Sequence, residues 1–182
     1  MATIYLVRHG KAAAGFGGHP DPGLDDLGRE QAEAAAADLD ALGRLTVYSS
    51  PLARARETAA PLAARWRSEV IIEPRVAEIP SPTTDLTERA AWLGSVMAGG
   101  WSDLSEELVA WRDSLVGCLL DMPDDSVVFC HFIAINVAVG AAQGEDRMIL
   151  FSPDNGSVTR LSNEGGSLTV LELGRSAQTH VN

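Results

Sequence analysis

Along the chain the apolar positions switch repeatedly between strand-like and helix-like spacing. Ile4 to Val7 is a short run of apolar and aromatic side chains and reads as a first strand. Ala12 to Gly23 is rich in Gly, Ala and Pro, too poor in large apolar residues to enter a core, and reads as a loop. From Asp25 or Asp26, either of which suits a cap, the spacing predicts a helix to about Leu42. It puts Leu27, Ala35, Leu39 and Leu42 along one face, and Gly43 stops it. Leu45 to Tyr48 gives a second strand. Ser50 suits an N-cap and Pro51 the first helical position of a helix that runs through Leu52 to about Trp66.

The second half continues the alternation. Val70 to Ile72 reads as a third strand, and the three prolines between Pro74 and Thr84 make that stretch irregular. Asp85 with Glu88, and Asp103 with Glu106, have the spacing of capping boxes for two more helices. The second of these runs to about Asp121, with Leu108, Trp111, Leu115 and Leu119 on one side. Ser126 to Cys130 has the apolar character of a strand at the centre of a parallel sheet, and Phe132 to Ala142 that of a buried helix. Ser157 to Leu161 and Leu168 to Leu173 flank the turn sequence Asn163-Glu164-Gly165-Gly166, a hairpin pattern. The polar tail after Gly174, which includes His180, is expected to fray. No repeat or linker interrupts the pattern. The expected fold is α/β: one domain over residues 1–182, a three-layer α/β/α sandwich on a mostly parallel sheet with a late antiparallel hairpin.

Composition narrows the function classes. The 182 residues are 46% hydrophobic and 21% charged, values ordinary for a soluble globular protein. No apolar run reaches the length of a membrane span and no leader is visible, so the expected location is cytoplasmic. The formal net charge of -11 argues against nucleic acid or an anionic membrane as partner. Cys118 and Cys130 read as buried, reduced thiols, and no Cys/His spacing suits zinc. An acidic chain that binds an anion must concentrate its few cations, and Arg8, Lys11, Arg54 and Arg56 are the candidates.

The chemistry-bearing residues follow strands. Arg8-His9-Gly10 follows the first, and Ser49-Ser50-Pro51-Leu52-Ala53-Arg54-Ala55-Arg56-Glu57-Thr58-Ala59 follows the second. Glu78 lies beyond the third, and His131 follows Val127 to Cys130. The carboxyl ends of parallel strands share one edge of a sheet, so these four groups can converge. A neutral imidazole is a competent nucleophile toward phosphorus, and guanidinium forks match phosphate oxygens. A carboxylic acid can protonate a departing oxygen. The combination points to phosphoryl transfer.

This ordered set resembles the histidine phosphatase superfamily, the phosphoglycerate-mutase-like proteins. The matching text is Leu6-Val7-Arg8-His9-Gly10, the Ser-Ser-Pro-Leu-x-Arg-Ala-x-x-Thr-Ala block, Leu24-x-x-x-Gly28-x-x-Gln31-Ala32, His131 after a Val-rich strand, and Asn155-Gly156-Ser157-Val158-Thr159. The resemblance implies that His9 is phosphorylated, that Arg8, Arg54 and His131 form the phosphate pocket, and that His131 also serves catalysis. It makes Glu78 the candidate proton donor, with Glu73 and Asp85 as rivals, and it calls for no metal or cofactor. The implied activity is hydrolysis of a small phosphorylated substrate, a phosphomonoester, through a phosphohistidine, as in a histidine acid phosphatase. The alternatives are a phosphoglycerate-type mutase, a protein phosphohistidine phosphatase, and a catalytically silent binder of phosphorylated ligands. A mutase needs more enclosing structure than the brief stretch from Pro74 to Thr84 offers. Two residues depart from the family pattern: Phe132, where glycine is usual, and Lys11, where an acidic or amide residue is common. Lys11, Phe132 and His19 are candidate substrate contacts, and Trp101, beside Gly99 and Gly100, is a candidate for a loop over the site. The pattern sets no oligomeric state.

Overall fold

The computed structural model describes residues 1–15 and 17–177. Its regular elements alternate as the pattern implies: β1 (Thr3–Arg8), α1 (Asp26–Asp40), β2 (Thr46–Ser49), α2 (Ala53–Trp66), β3 (Val70–Ile72), α3 (Leu86–Met97), α4 (Glu106–Leu120), β4 (Ser126–Cys130), α5 (Phe132–Gln143), β5 (Val158–Ser162) and β6 (Thr169–Glu172). The strands form one six-stranded sheet in the order β3-β2-β4-β1-β5-β6. β3, β2, β4 and β1 run parallel; β5 is antiparallel to β1, and β6 to β5.

Alternation along the strands divides the core. Ile4, Leu6, Val128 and Cys130 face one side of the sheet, where Leu93, Leu115, Leu119 and Ile133 of α3, α4 and α5 cover them. Val7, Val47, Val127 and Phe129 face the other side, against Ala35, Ala36 and Leu39 of α1 and Ala55, Ala59 and Leu62 of α2. β4 is buried at every position, as a strand between two parallel neighbours must be. Register then fixes the functional edge: Arg8 pairs with Cys130 and Ser49 with Phe129, so the chain leaves β1, β2 and β4 side by side. Among the described residues, no helix is long and apolar enough to cross a membrane.

Several local expectations are corrected. α1 turns Gly28, Ala32, Ala35, Ala36 and Leu39 inward, while Leu27 and Leu42 are exposed. Helical spacing alone does not reveal that Gly28 must lie against the backbone of Lys11. α2 starts at Ala53 with Leu52 as N-cap; Ser50 accepts the Leu52 amide from outside the helix. α4 is capped by Ser105, and Asp103 belongs to a separate 3-10 turn, Trp101–Asp103. Trp101 does not overhang the site. It is buried, with its ring stacked on Trp111 at 6.0 Å. The tail is held as far as it is described: the Asp154 amide donates to the Arg175 carbonyl at 2.8 Å, and the Ala177 amide to the Ser152 carbonyl at 2.7 Å. His180 lies outside the described residues.

Candidate active site

A cavity of about 260 Å³ opens where β1, β2 and β4 end. Arg8, His9, Arg54 and Glu78 line its polar end, and Leu93, Met97, Phe132 and Ile133 form an apolar wall.

His9 is fixed from three sides. Its amide donates to the Cys130 carbonyl at 3.1 Å, and its carbonyl accepts from Asn155 Nδ2 at 2.9 Å. Its Nδ1 lies 2.7 Å from the Gly10 carbonyl, which can only accept, so Nδ1 carries the ring proton and Nε2 the lone pair. Arg54 Nε donates to that Nε2 at 3.2 Å. Arg54 stands on the first turn of α2. One turn on, Thr58 Oγ1 donates to the Arg54 carbonyl at 2.7 Å and accepts the Gly10 amide at 3.0 Å. One threonine thus locks the Arg-His-Gly loop to the second motif. Burial first, then the charges of Arg54 and Arg8, hold the His9 pKa well below the usual imidazole range. His9 is therefore neutral, the form a nucleophile needs.

Glu78 is buried at the N-terminus of α5. Its Oε1 accepts the amides of Ile79 and Ala134 at 3.1 and 3.2 Å, and its Oε2 accepts that of Ile133 at 3.1 Å. α5 has no side-chain cap from its own N-cap residue, His131, so Glu78 does that work from another segment. Burial pushes the Glu78 pKa up, against the pull of these amides and of Arg54. The two rivals are occupied elsewhere. Glu73 forms an ion pair with Arg75 at 2.8 Å, Asp85 accepts the Glu88 amide at 2.9 Å, and neither lines the cavity.

Arg8 is half-buried. Its NH1 donates to the Pro153 carbonyl at 2.8 Å, and its guanidinium lies over the Phe132 ring, 5.1 Å from the centroid. His131 is fully buried with its ring centroid 5.2 Å from that of His9. Its Nε2 is 2.8 Å from Ser50 Oγ, and its Nδ1 is buried with no partner among the described residues. The fold brings His131 against His9 but not onto the cavity wall.

The remaining candidates lie at the rim. Lys11 lines the cavity with its ammonium 3.1 Å from Asp25, and Arg56 is exposed and does not line it. His19 lines it from the Gly-rich loop, where its Nδ1 accepts the Asp21 amide at 3.0 Å. Asp21 in turn accepts the Ala53 amide at 2.9 Å, which pins the loop to the start of α2. Sequence reasoning missed Arg89, Leu93 and Met97, three wall residues on α3. Their helical spacing was visible, but not the side of the sheet edge that α3 would face. It also missed the part of Ser50 and Thr58, whose place in the Ser-Ser-Pro block was the available signal.

Residues 4–91 match the histidine phosphatase superfamily (branch 1). The glucosyl-3-phosphoglycerate phosphatase of Mycolicibacterium vanbaalenii is 29% identical over 172 residues, which cover 89% of this chain and 73% of that protein. A probable phosphoglycerate mutase of Erwinia tasmaniensis is 27% identical over 164 residues, 79% of this chain and 76% of that one. Among solved structures, the phosphoserine phosphatase of Entamoeba histolytica superposes with a TM-score of 0.76 at 22% identity, covering 98% of each chain. These matches and the ordered motifs make the chain similar to the histidine phosphatase superfamily, and the superposition shows that it shares the fold.

Proposed function

We propose that the protein is a phosphatase of the histidine acid phosphatase type, hydrolysing a small phosphomonoester through a phosphohistidine on His9. The carrying observation is the state of His9: neutral, with its proton fixed on Nδ1 by Gly10 and its Nε2 lone pair beside Arg54 at the polar end of the cavity. When a phosphate group binds, the Arg54 and Arg8 forks turn to its oxygens and Nε2 is released for in-line attack. The N–P bond forms as the P–O ester bond breaks, and protonated Glu78 gives its proton to the leaving oxygen. Water then attacks the phosphohistidine while the Glu78 carboxylate takes a proton from it, and phosphate and free His9 result. His131, its ring centroid 5.2 Å from that of His9, backs the nucleophile from behind the cavity wall.

The leaving group meets two surfaces: the apolar wall of Leu93, Met97, Phe132 and Ile133, and a rim that carries Lys11, His19 and Arg89. This favours a small organic phosphate with an apolar face. A burial-depressed imidazole and a burial-raised carboxyl together keep nucleophile and acid competent on the acidic side of neutrality, which supports the acid-phosphatase type.

The test is to trap radiolabelled phosphate on His9 from a labelled aryl phosphate, with His9→Ala as control. Label on wild type and no turnover by the variant are expected; normal turnover by His9→Ala ends the mechanism. Incubation with 3-phosphoglycerate separates the mutase reading, which predicts interconversion without release of phosphate.

A further inference from the structure

We propose that Phe132 is a positioning residue for Arg8, one jaw of a clamp that presents the guanidinium to the phosphate of the substrate. The proposal rests on the phosphatase reading of the site for what Arg8 does, but its geometry stands alone. The Arg8 guanidinium lies 5.1 Å from the Phe132 ring centroid, a cation over an aromatic face. The Pro153 carbonyl takes Arg8 NH1 at 2.8 Å as the second jaw. Arg8 Nε is buried with no partner among the described residues, so part of the fork is left for an anion.

Both jaws hang on one buried side chain. Asn136, one turn along α5, donates from Nδ2 to the Phe132 carbonyl at 3.0 Å, and its Oδ1 accepts the amides of Leu150 and Phe151 at 2.8 and 3.2 Å. The start of α5 and the segment that leads to Pro153 are therefore held in one frame. Phe132 is itself 4% exposed, so the ring is fixed before any ligand arrives. Burial, and less so Arg54, works against the Arg8 charge, which Glu78 and Asp154 support, and the ring face adds negative quadrupole without a further acidic group that would repel the substrate. A carboxylate in its place would compete with phosphate for the same fork.

Phe132→Leu keeps apolar bulk and removes the ring face; Phe132→Tyr keeps the face. Binding of inorganic phosphate, measured by calorimetry, needs no turnover. A cation–π contact of ordinary strength predicts about 2- to 30-fold weaker phosphate binding by Phe132→Leu. KM should rise in step, with kcat nearly unchanged, and Phe132→Tyr should restore binding. In an Arg8→Gln background Phe132→Leu should add nothing. Equal losses in both backgrounds, wild-type binding by Phe132→Leu, or no phosphate binding by the wild-type protein overturns the proposal. Phosphate binding without turnover overturns the phosphatase reading alone.

Discussion

Arg54 Nε and His9 Nε2 are 3.2 Å apart, and the bond runs to the one ring nitrogen that retains a lone pair. The same arginine therefore covers the proposed nucleophile and helps to lower its pKa. After burial, its charge is the largest cause of the depressed His9 pKa. On the proposed mechanism only the neutral ring attacks phosphorus, so a lowered pKa preserves activity as pH falls, until His9 protonates. Arg54→Gln removes the cation, His9 protonates at higher pH, and the acid limb of kcat/KM moves up. The same variant should lose about 10²- to 10³-fold at the pH optimum, the cost of one preorganised donor. An acid limb unmoved in Arg54→Gln would show that another group sets it.

Glu78 leads to a prediction about leaving groups. Its pKa is raised, chiefly by burial, so the carboxyl keeps its proton above the usual carboxylate range. An alkyl alcohol needs that proton to depart, whereas an aryl alcohol needs it much less. Glu78→Gln keeps acceptors for the Ile79, Ile133 and Ala134 amides and cannot transfer a proton. Turnover of alkyl phosphates should fall about 10²- to 10⁴-fold and that of aryl phosphates far less. Equal losses on the two series would assign Glu78 to the capping of α5 alone.

How far the sequence carried depends on where each residue sits. Strand composition and parallel register were enough to bring Arg8, His9, Arg54 and Glu78 to one edge, because chain direction alone puts them there. Capping at α2 was misread because Ser50 and Pro51 make a plausible start. The Ser50 hydroxyl instead lies against His131, a partner 81 positions away. Leu27 and Leu42 were misplaced for a similar reason, since the rotation of α1 is set by the approach of Gly28 to Lys11. Helix facing and long-range pairing depend on tertiary packing, which local periodicity does not encode.

The two buried histidines also set a pH dependence of stability. His9 and His131 both have folded-state pKa values well below that of free imidazole, near 6.5, with burial the leading cause. As pH falls through about 6.5 the unfolded chain takes up protons that the folded chain refuses, so stability declines. The decline amounts to about 1.4 kcal/mol per pH unit for each histidine until its folded-state pKa is reached. Glu78 has the opposite sign: its raised pKa costs stability as pH rises from the unfolded carboxyl value to the folded one. Thermal melts from pH 7 to pH 5 should therefore show a falling Tm, and the fall should be shallower in His131→Gln. A slope unchanged by that substitution would mean that His131 is charged in the fold.

Gly28 and Gly10 are the last pair with a measurable consequence. A Cβ on Gly10 would overlap the Gly28 carbonyl, and one on Gly28 would overlap the Lys11 carbonyl and lie 2.9 Å from the Lys11 amide. The obstacles are backbone atoms, so no rotamer change relieves them. Helix propensity argues the other way, because alanine inside a helix is about 1 kcal/mol better than glycine. The overlap should win, since overpacking costs about 1–3 kcal/mol and here the displaced segment carries His9. Gly28→Ala should lower Tm and reduce kcat/KM together. Gly117, inside α4 with nothing within 4 Å of where a methyl group would stand, is the matched control. Gly117→Ala should raise Tm with kcat/KM unchanged. If both variants are stabilised alike, the close approach of α1 to the His9 loop does not govern the site.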